Sequence, residues 1–131
     1  MADFNWLEIL GWNSYQLEEL RFAGFSFVRQ GKYDKALIYF KSLVILDPKS
    51  SYDFQILGAL YLQTNEEAQA LPMLNQALEL DPTHEPTQLN KVKTLITLGQ
   101  KSEAFALAAA LEKSKNRVIA DDATAVIMAH S

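Results

Sequence analysis

The sequence predicts an all-α protein of about three stacked helix hairpins, with one helix before the stack and a capping helix after it. The first observation is a repeat, because four sets of like residues recur 34 positions apart. The sets are Gly24 with Gly58, Phe27 with Tyr61, Ala36 with Ala70, and Asp47 and Pro48 with Asp81 and Pro82. The second observation is a weaker third copy, in which Gly99 follows Gly31 by twice that period and Ala104 continues the alanine series. A period of this length holds two helices and their turns, so each repeat is expected to be one hairpin.

The small residues of each repeat indicate close helix crossings. Gly24 and Gly58 fall inside predicted helices, where glycine costs about 1 kcal/mol relative to alanine, so a packing reason is expected for them. Ala36 and Ala70 stand at the matching point of the second helix. The two helices of a hairpin are therefore expected to approach closely. Larger residues are expected to fill the space between hairpins, namely Phe27, Phe40, Tyr61 and Leu74.

Prolines and turn residues mark the ends of the helices. Pro48 and Pro82 lack the N–H that a helix interior needs and disfavour helical angles in the preceding residue, so each second helix is expected to stop there. Gly31 and Asn65 tolerate the left-handed conformation that often ends a helix. The predicted helices cover 3–12, 15–30, 34–46, 51–64, 67–80, 85–98, 102–114 and 117–129. We expect a single domain over 1–131, divided into an N-terminal helix at 1–14, repeats at 15–50 and 51–84, a degenerate repeat at 85–116 and the capping helix at 117–131.

Composition and charge argue against several function classes. The net charge of −4 and the pI near 5.1 have the wrong sign for an electrostatic nucleic-acid surface, and Lys and Arg are scattered. No stretch approaches the roughly 18 consecutive apolar residues of a membrane-spanning helix, so membrane insertion is not expected. Asp3 and Glu8 stand where a secretory signal would carry basic residues. The chain has no cysteine, which a reducing compartment permits, and we expect a cytoplasmic protein.

The sequence offers no catalytic or cofactor-binding constellation. The two histidines, His84 and His130, lie in a turn and beside the C-terminus, and neither is placed for catalysis. Without cysteine or a repeated acid spacing they give no metal site of ordinary ligand number. There is no glycine-rich phosphate loop and no serine-centred nucleophile motif. We therefore expect no catalytic residue, no metal, no cofactor and no enzymatic activity.

The remaining surface is the concave groove that the first helices of stacked hairpins line. Helical spacing places on this face the mixed apolar, aromatic and basic set Arg21, Phe25, Val28, Arg29, Tyr52, Gln55, Ala59, Leu62, Leu89, Lys93 and Ile96. We expect a protein or peptide segment to bind there, with Phe25, Tyr52, Leu62 and Leu89 as anchors. Arg21, Arg29 and Lys93 are expected to orient it. The alternative is that Phe25, Leu62 and Ile96 are core residues.

The N-terminal segment has more apolar residues than one short helix can hide. These residues are Phe4, Trp6, Leu7, Ile9, Leu10 and Trp12. Exposed apolar patches of several hundred Å² usually mark interfaces, so we expect this helix to pack on a second copy or on the client. The alternative is that it docks against the first repeat of its own chain.

Two repeats resemble the tetratricopeptide consensus. The matching residues are Leu20, Gly24, Phe27, Ala36, Phe40 and Pro48 in the first repeat and Leu57, Gly58, Tyr61, Ala70, Ala77 and Pro82 in the second. The resemblance implies a tetratricopeptide-repeat superhelix.

The first repeat, Leu17 to Asp47, carries LEEL, QGKYDKA and an F, L, LD spacing. It is similar to the first repeat of bacterial type III secretion chaperones that bind translocator proteins. That family has a hydrophobic N-terminal helix, three repeats and a C-terminal helix. The resemblance implies that the groove holds a hydrophobic segment of a secreted protein in the cytoplasm before export. A related needle-subunit chaperone and a generic scaffold for complex assembly are the alternatives. The expected partner of the N-terminal helix is a second copy of the chain or a small co-chaperone.

Overall fold

The computed structural model describes residues 5–131, which form eight helices without a strand among them. The helices are α1 (Trp6–Leu10), α2 (Ser14–Arg29), α3 (Tyr33–Leu46), α4 (Ser51–Gln63), α5 (Glu67–Leu80), α6 (Glu85–Thr97), α7 (Lys101–Leu111) and α8 (Arg117–His130). The predicted all-α fold is confirmed.

The N-terminal helix is shorter than the predicted 3–12. It begins after Asn5, whose side chain accepts a hydrogen bond from the backbone N–H of Glu8 at 3.1 Å. It ends at Gly11, which has a left-handed φ of 69°. The side-chain cap marks the start of the helix and the left-handed residue marks its end, so the helix cannot extend over the predicted range. The predicted surface residue Phe4 lies outside the described residues.

The hairpins are α2 with α3, α4 with α5, and α6 with α7, and each packs on the next through α3 with α4 and α5 with α6. Helix α8 packs on both α6 and α7 and so covers the end of the stack. The core has two parts. One cluster joins the first two hairpins, and the other joins the third hairpin to α8.

The turns inside the first two hairpins have the predicted geometry. Gly31 and Asn65 have φ values of 72° and 60°. The backbone N–H of the following residue in each turn then bonds back into the first helix, at 2.9 Å from Lys32 to Phe27 and 2.7 Å from Glu66 to Tyr61. The left-handed residue thus ends the first helix and reverses the chain.

Glycine is required where the helices of a hairpin cross. A Cβ atom on Gly24 would lie 2.9 Å from the Cβ of Tyr39 and 3.0 Å from Cε2 of Phe40. A Cβ atom on Gly58 would lie 2.6 Å from Cδ2 of Leu74. In each of these hairpins a residue without a side chain on the first helix faces a large residue on the second. The close approach at the glycines is as predicted, but Phe40 and Leu74 lie at the crossing inside the hairpin, where the sequence analysis expected Ala36 and Ala70.

The third hairpin reverses this size relation. At the next step of 34 residues the glycine position holds Val92, and the position of Phe40 and Leu74 holds Ala108. Val92 and Ala108 are both fully buried in the second core cluster. The small residue has therefore moved from the first helix to the second, which explains why this repeat looks degenerate in sequence.

Overpacking a crossing should destabilise the fold. We predict that Ala70→Leu lowers the free energy of unfolding by about 1–3 kcal/mol, because Ala70 is fully buried in the first core cluster and close-packed interiors do not accept added methylenes. Urea denaturation followed by circular dichroism measures the change. Ala68→Leu on the exposed side of α5 is the matched control, and it should change stability by less than about 0.5 kcal/mol. Equal midpoints for the two variants would contradict the assigned crossing.

Candidate functional site

The first helices of the hairpins present one row of side chains along the stack. The predicted groove residues that are exposed are Phe25, Arg29, Tyr52 and Lys93. Those that are partly exposed are Val28, Gln55, Ala59, Leu62 and Ile96. Leu62 and Ile96 also pack against the first and second core clusters, whereas Phe25 lies in neither cluster. The alternative of a pure core role therefore fits Leu62 and Ile96 in part and does not fit Phe25.

The role predicted for Arg21 is corrected by its surroundings. Its Nε donates to Oδ1 of Asp53 at 2.7 Å, and its Nη2 donates to Oδ2 of Asp53 at 2.6 Å. Nη2 also donates to Oδ2 of Asp47 at 3.2 Å, and Nη1 donates to Glu18. The hydrogen bond to Asp53 and the neighbouring negative charges raise the pKa of Arg21 above its ordinary value, despite burial. The guanidinium group is therefore committed to the stack and does not orient a bound segment.

The Arg21 side chain spans the widest separation between neighbouring first helices. The Cα atoms of α2 and α4 do not come within 8 Å of one another, whereas α4 approaches α6, and α6 approaches α8, within that distance. Asp53 is fully buried on α4, and a bidentate guanidinium–carboxylate pair fixes both distance and orientation. This pair therefore joins α2 directly to α4.

Tyr52 stands beside this ion pair without carrying charge itself. Burial raises the pKa of its hydroxyl, and the negative charge of Asp53 raises it further, while Arg21 lowers it. A tyrosine with a raised pKa stays neutral around pH 7. Tyr52 thus adds aromatic surface to the groove.

The role predicted for Leu89 is also corrected. Leu89 is buried within the second core cluster, together with Val92 and Leu95 of the same helix. A side chain that fills the core of the third hairpin offers no surface to a client, so Leu89 is not an anchor. The third section of the groove is therefore less apolar than predicted, with Lys93 as its exposed side chain.

Helix α8 carries exposed residues at positions that match those predicted for the groove on α4, and none of them was among the residues predicted from the sequence. Counting from the N-cap residue Ser50, the predicted groove residues of α4 stand 2, 5, 9 and 12 positions into the helix, and Lys93 and Ile96 of α6 stand 9 and 12 positions after the N-cap His84. The same count from the N-cap Asn116 of α8 gives Val118, Asp121, Ala125 and Met128. All four are exposed. A strict period of 34 residues does not locate these positions, because 34 residues separate Ser50 from His84 but only 32 separate His84 from Asn116. Counting from the N-cap of each helix would have located them.

The N-terminal segment is partly docked and partly open. Leu7 packs against the first core cluster, and Trp6 and Trp12 line a cleft of about 370 Å³ together with Leu20, Ser42, Ile45 and Leu46. Ile9 and Leu10 remain exposed on α1. Docking on the first repeat therefore accounts for Leu7, while the prediction of a partner surface rests on Ile9 and Leu10.

The described chain has neither a cluster of metal-ligating side chains nor a helix that could span a membrane. Residues 5–131 contain no group of three or more His, Cys, Asp or Glu side chains that could hold a metal ion. No helix in that range combines the length and apolar character that crossing a membrane requires.

The chain is similar to a repeat family and to several solved structures. The family described as tetratricopeptide repeat matches residues 54–84, and no curated protein matches the chain. Among solved structures, PcrH bound to the chaperone-binding region of PopD is similar with 27% identity and a TM-score of 0.77, covering 91% of this chain and 93% of that one. PcrH is from Pseudomonas aeruginosa.

The type III secretion translocator chaperone SycD of Yersinia enterocolitica is similar with 20% identity and a TM-score of 0.79, covering 98% of this chain and 99% of that one. A second SycD structure, described as an alternative dimer, has 21% identity and a TM-score of 0.77, covering 89% of this chain and 96% of that one. At these identities SycD supports the fold of the whole chain. The predicted stack of three hairpins with a helix at each end is confirmed.

Breaking the ion pair should destabilise the protein. We predict that Arg21→Met lowers the free energy of unfolding by about 3–5 kcal/mol, because it leaves the buried Asp53 carboxylate without its bidentate partner. Urea denaturation is the measurement. Arg29→Met is the matched control, since Arg29 is exposed and has no ion pair within the described residues, and it should change stability by less than about 0.5 kcal/mol. Similar losses in both variants would contradict the bridging role.

The exposed residues of α1 should contribute to self-association. We predict that Ile9→Glu with Leu10→Glu lowers the molar mass measured by light scattering from a dimer to a monomer, because two charges cannot be buried in an apolar contact without partners. The control is Tyr15→Glu, a substitution of another exposed large residue just outside α1. An unchanged mass in the α1 variant would remove the dimer and leave the client as the partner for this surface.

Proposed function

We propose that this chain, a tetratricopeptide-repeat protein with the fold of the type III secretion translocator chaperones, is itself such a chaperone. Its concave groove holds a hydrophobic segment of a secreted translocator before export. The single observation that carries this proposal is the pair of exposed aromatic side chains, Phe25 and Tyr52, on successive first helices. Large apolar residues exposed in a row on a concave face are typical of a binding site for another chain.

Charge in the groove supports the same kind of client. Arg21 is neutralised by its carboxylate partners, while Arg29 and Lys93 are exposed at the groove. Aromatic or aliphatic anchors in pockets usually dominate the energy of an interface, and exposed charges at the edge mainly speed the encounter. A neutral or mildly acidic amphipathic segment, prone to aggregate when free, suits this surface.

Similarity to PcrH supports the client class. That protein is bound to the chaperone-binding region of PopD, and the similarity extends over most of both chains. A fold alone does not define function, so the argument depends on the groove and the similarity together. We place the protein in the bacterial cytoplasm, where a client would be held before export, and assign it a binding activity with no catalytic step.

A needle-subunit chaperone and a scaffold that joins two folded proteins are the alternatives. The scaffold would engage a folded surface, so it would have no need of aromatic side chains exposed in a row along the groove. Exposed Phe25 and Tyr52 favour an unfolded or partly folded segment over a folded partner. Co-purification from the native host, followed by identification of the bound protein, separates a translocator from a needle subunit.

Charge placed in the groove should abolish client binding. We predict that Phe25→Glu with Tyr52→Glu eliminates binding of a peptide spanning the chaperone-binding region of PopD, measured by isothermal titration calorimetry. Each substitution inserts an unpaired charge into a contact that excludes water. Both side chains are exposed, so helicity and melting temperature should remain close to those of the wild type.

The control for this variant is Ile38→Glu, which places the same charge on an exposed apolar residue of the second helix α3. It should bind the peptide with wild-type affinity. Wild-type affinity in the folded groove variant would instead show that the concave face is the wrong surface.

A further inference from the structure

We infer that the client-binding groove continues past the three hairpins onto α8, where Val118, Ala125 and Met128 form its fourth section. This inference rests on the proposed function, because its occupant is the same client segment. It extends the groove to a helix that otherwise only covers the end of the stack.

The packing of α8 places it in line with the first helices. It contacts α6 as well as α7, just as α6 contacts α4 and α5. A helix that followed α7 only as a cap would have no need to lie beside α6. Helix α8 therefore lies where the first helix of a further repeat would lie.

Burial gives independent support for the N-cap alignment. The third residue after the N-cap is buried in α4, α6 and α8, where it is Asp53, Thr87 and Ile119. The seventh residue is buried in α4 and α8, as Leu57 and Ala123. Because α4 and α8 share both of these core-facing positions and turn by the same angle per residue, their opposite positions also correspond.

The surface that this alignment brings to the groove is apolar. Val118 is 67% exposed and Met128 is 75% exposed, with the small residue Ala125 between them. Single exposed apolar residues are common, but these three share one strip of the helix with the spacing of a helix face. Asp121 lies on the same strip, and its Oδ2 is 3.7 Å from Nε of Arg117. The negative charge of Asp121 is therefore partly balanced.

The occupant that fits this strip is the distal part of the client segment bound at Phe25 and Tyr52. The strip continues the row of first helices without a break, because α4 approaches α6 and α6 approaches α8. Lys93 on α6 is the charged side chain between the two apolar sections. A client segment that runs the length of the groove would therefore carry apolar residues near both ends, and an acidic residue opposite Lys93 would complement it.

Two measurements test this extension with the PopD chaperone-binding peptide as the probe. In calorimetry, Val118→Glu with Met128→Glu should weaken binding about tenfold or more, because two apolar contacts are lost and two charges are desolvated. Ile38→Glu, with the substituted residue 66% exposed on α3, should bind as the wild type does. Circular dichroism and thermal melting show that each variant is folded.

The second measurement needs no added charge. The chain has no cysteine, so Met128→Cys provides a single site for an environment-sensitive fluorophore. Addition of the peptide should shift the emission of this label to the blue, as it should for a label at Tyr52→Cys. A label at Ile38→Cys should not respond.

The outcomes separate this inference from the proposed function. Full affinity in the α8 variant, an unresponsive label at position 128 and loss of binding in the Phe25 and Tyr52 variant would overturn the α8 extension while the function stands. Loss of binding in the α8 variant alone would support α8 and contradict the Phe25 and Tyr52 section. A peptide that does not bind the wild type at all would contradict both.

Discussion

The shape of the groove depends on the ion pair between Arg21 and Asp53. These residues join α2 to α4 across a separation at which no Cα atoms come within 8 Å, and both helices also contribute to the first core cluster. Removing either partner of a buried pair leaves a charge that water cannot solvate. The pair therefore constrains the distance between α2 and α4. It also neutralises the guanidinium charge of Arg21, which is then not available to a client.

The proposed groove begins with aromatic side chains on α2 and α4 beside the exposed Arg29, continues with Lys93 on α6 and ends with apolar side chains on α8. Phe25 and Tyr52 supply aromatic surface in the first section, Lys93 supplies charge in the third, and Met128 supplies a flexible thioether at the end. Methionine adapts its shape to irregular partners. A surface of this kind selects the order of apolar and charged residues along a client more strongly than their exact identity.

The sequence predicted the helices well because their ends are local. Prolines after Asp47 and Asp81 and left-handed residues at Gly31 and Asn65 act within one turn of the chain, so spacing alone locates them. The groove was predicted less well. Whether Arg21 faces a client or a carboxylate depends on a residue 32 positions away in sequence, and whether Leu89 is exposed depends on how tightly the third hairpin closes. The exposed strip of α8 was not predicted because α7 is three residues shorter than α5, whereas the linker before α8 is one residue longer than the linker before α6. These two differences together break the period of 34.

The exchange of small and large residues in the third hairpin bears on how a repetitive chain folds correctly. Helices of similar repeats can pair with the wrong partner during folding, and such mispaired states are characteristic traps of repeat proteins. Pairing α4 with α7 would set Gly58 against Ala108 and leave a void, whereas pairing α6 with α5 through their crossing positions would set Val92 against Leu74 and force an overlap. Both mismatches are unfavourable. The divergent third repeat therefore disfavours mispairing of its helices with those of the second hairpin, so the same substitutions that obscure it in sequence help to direct its helices to each other.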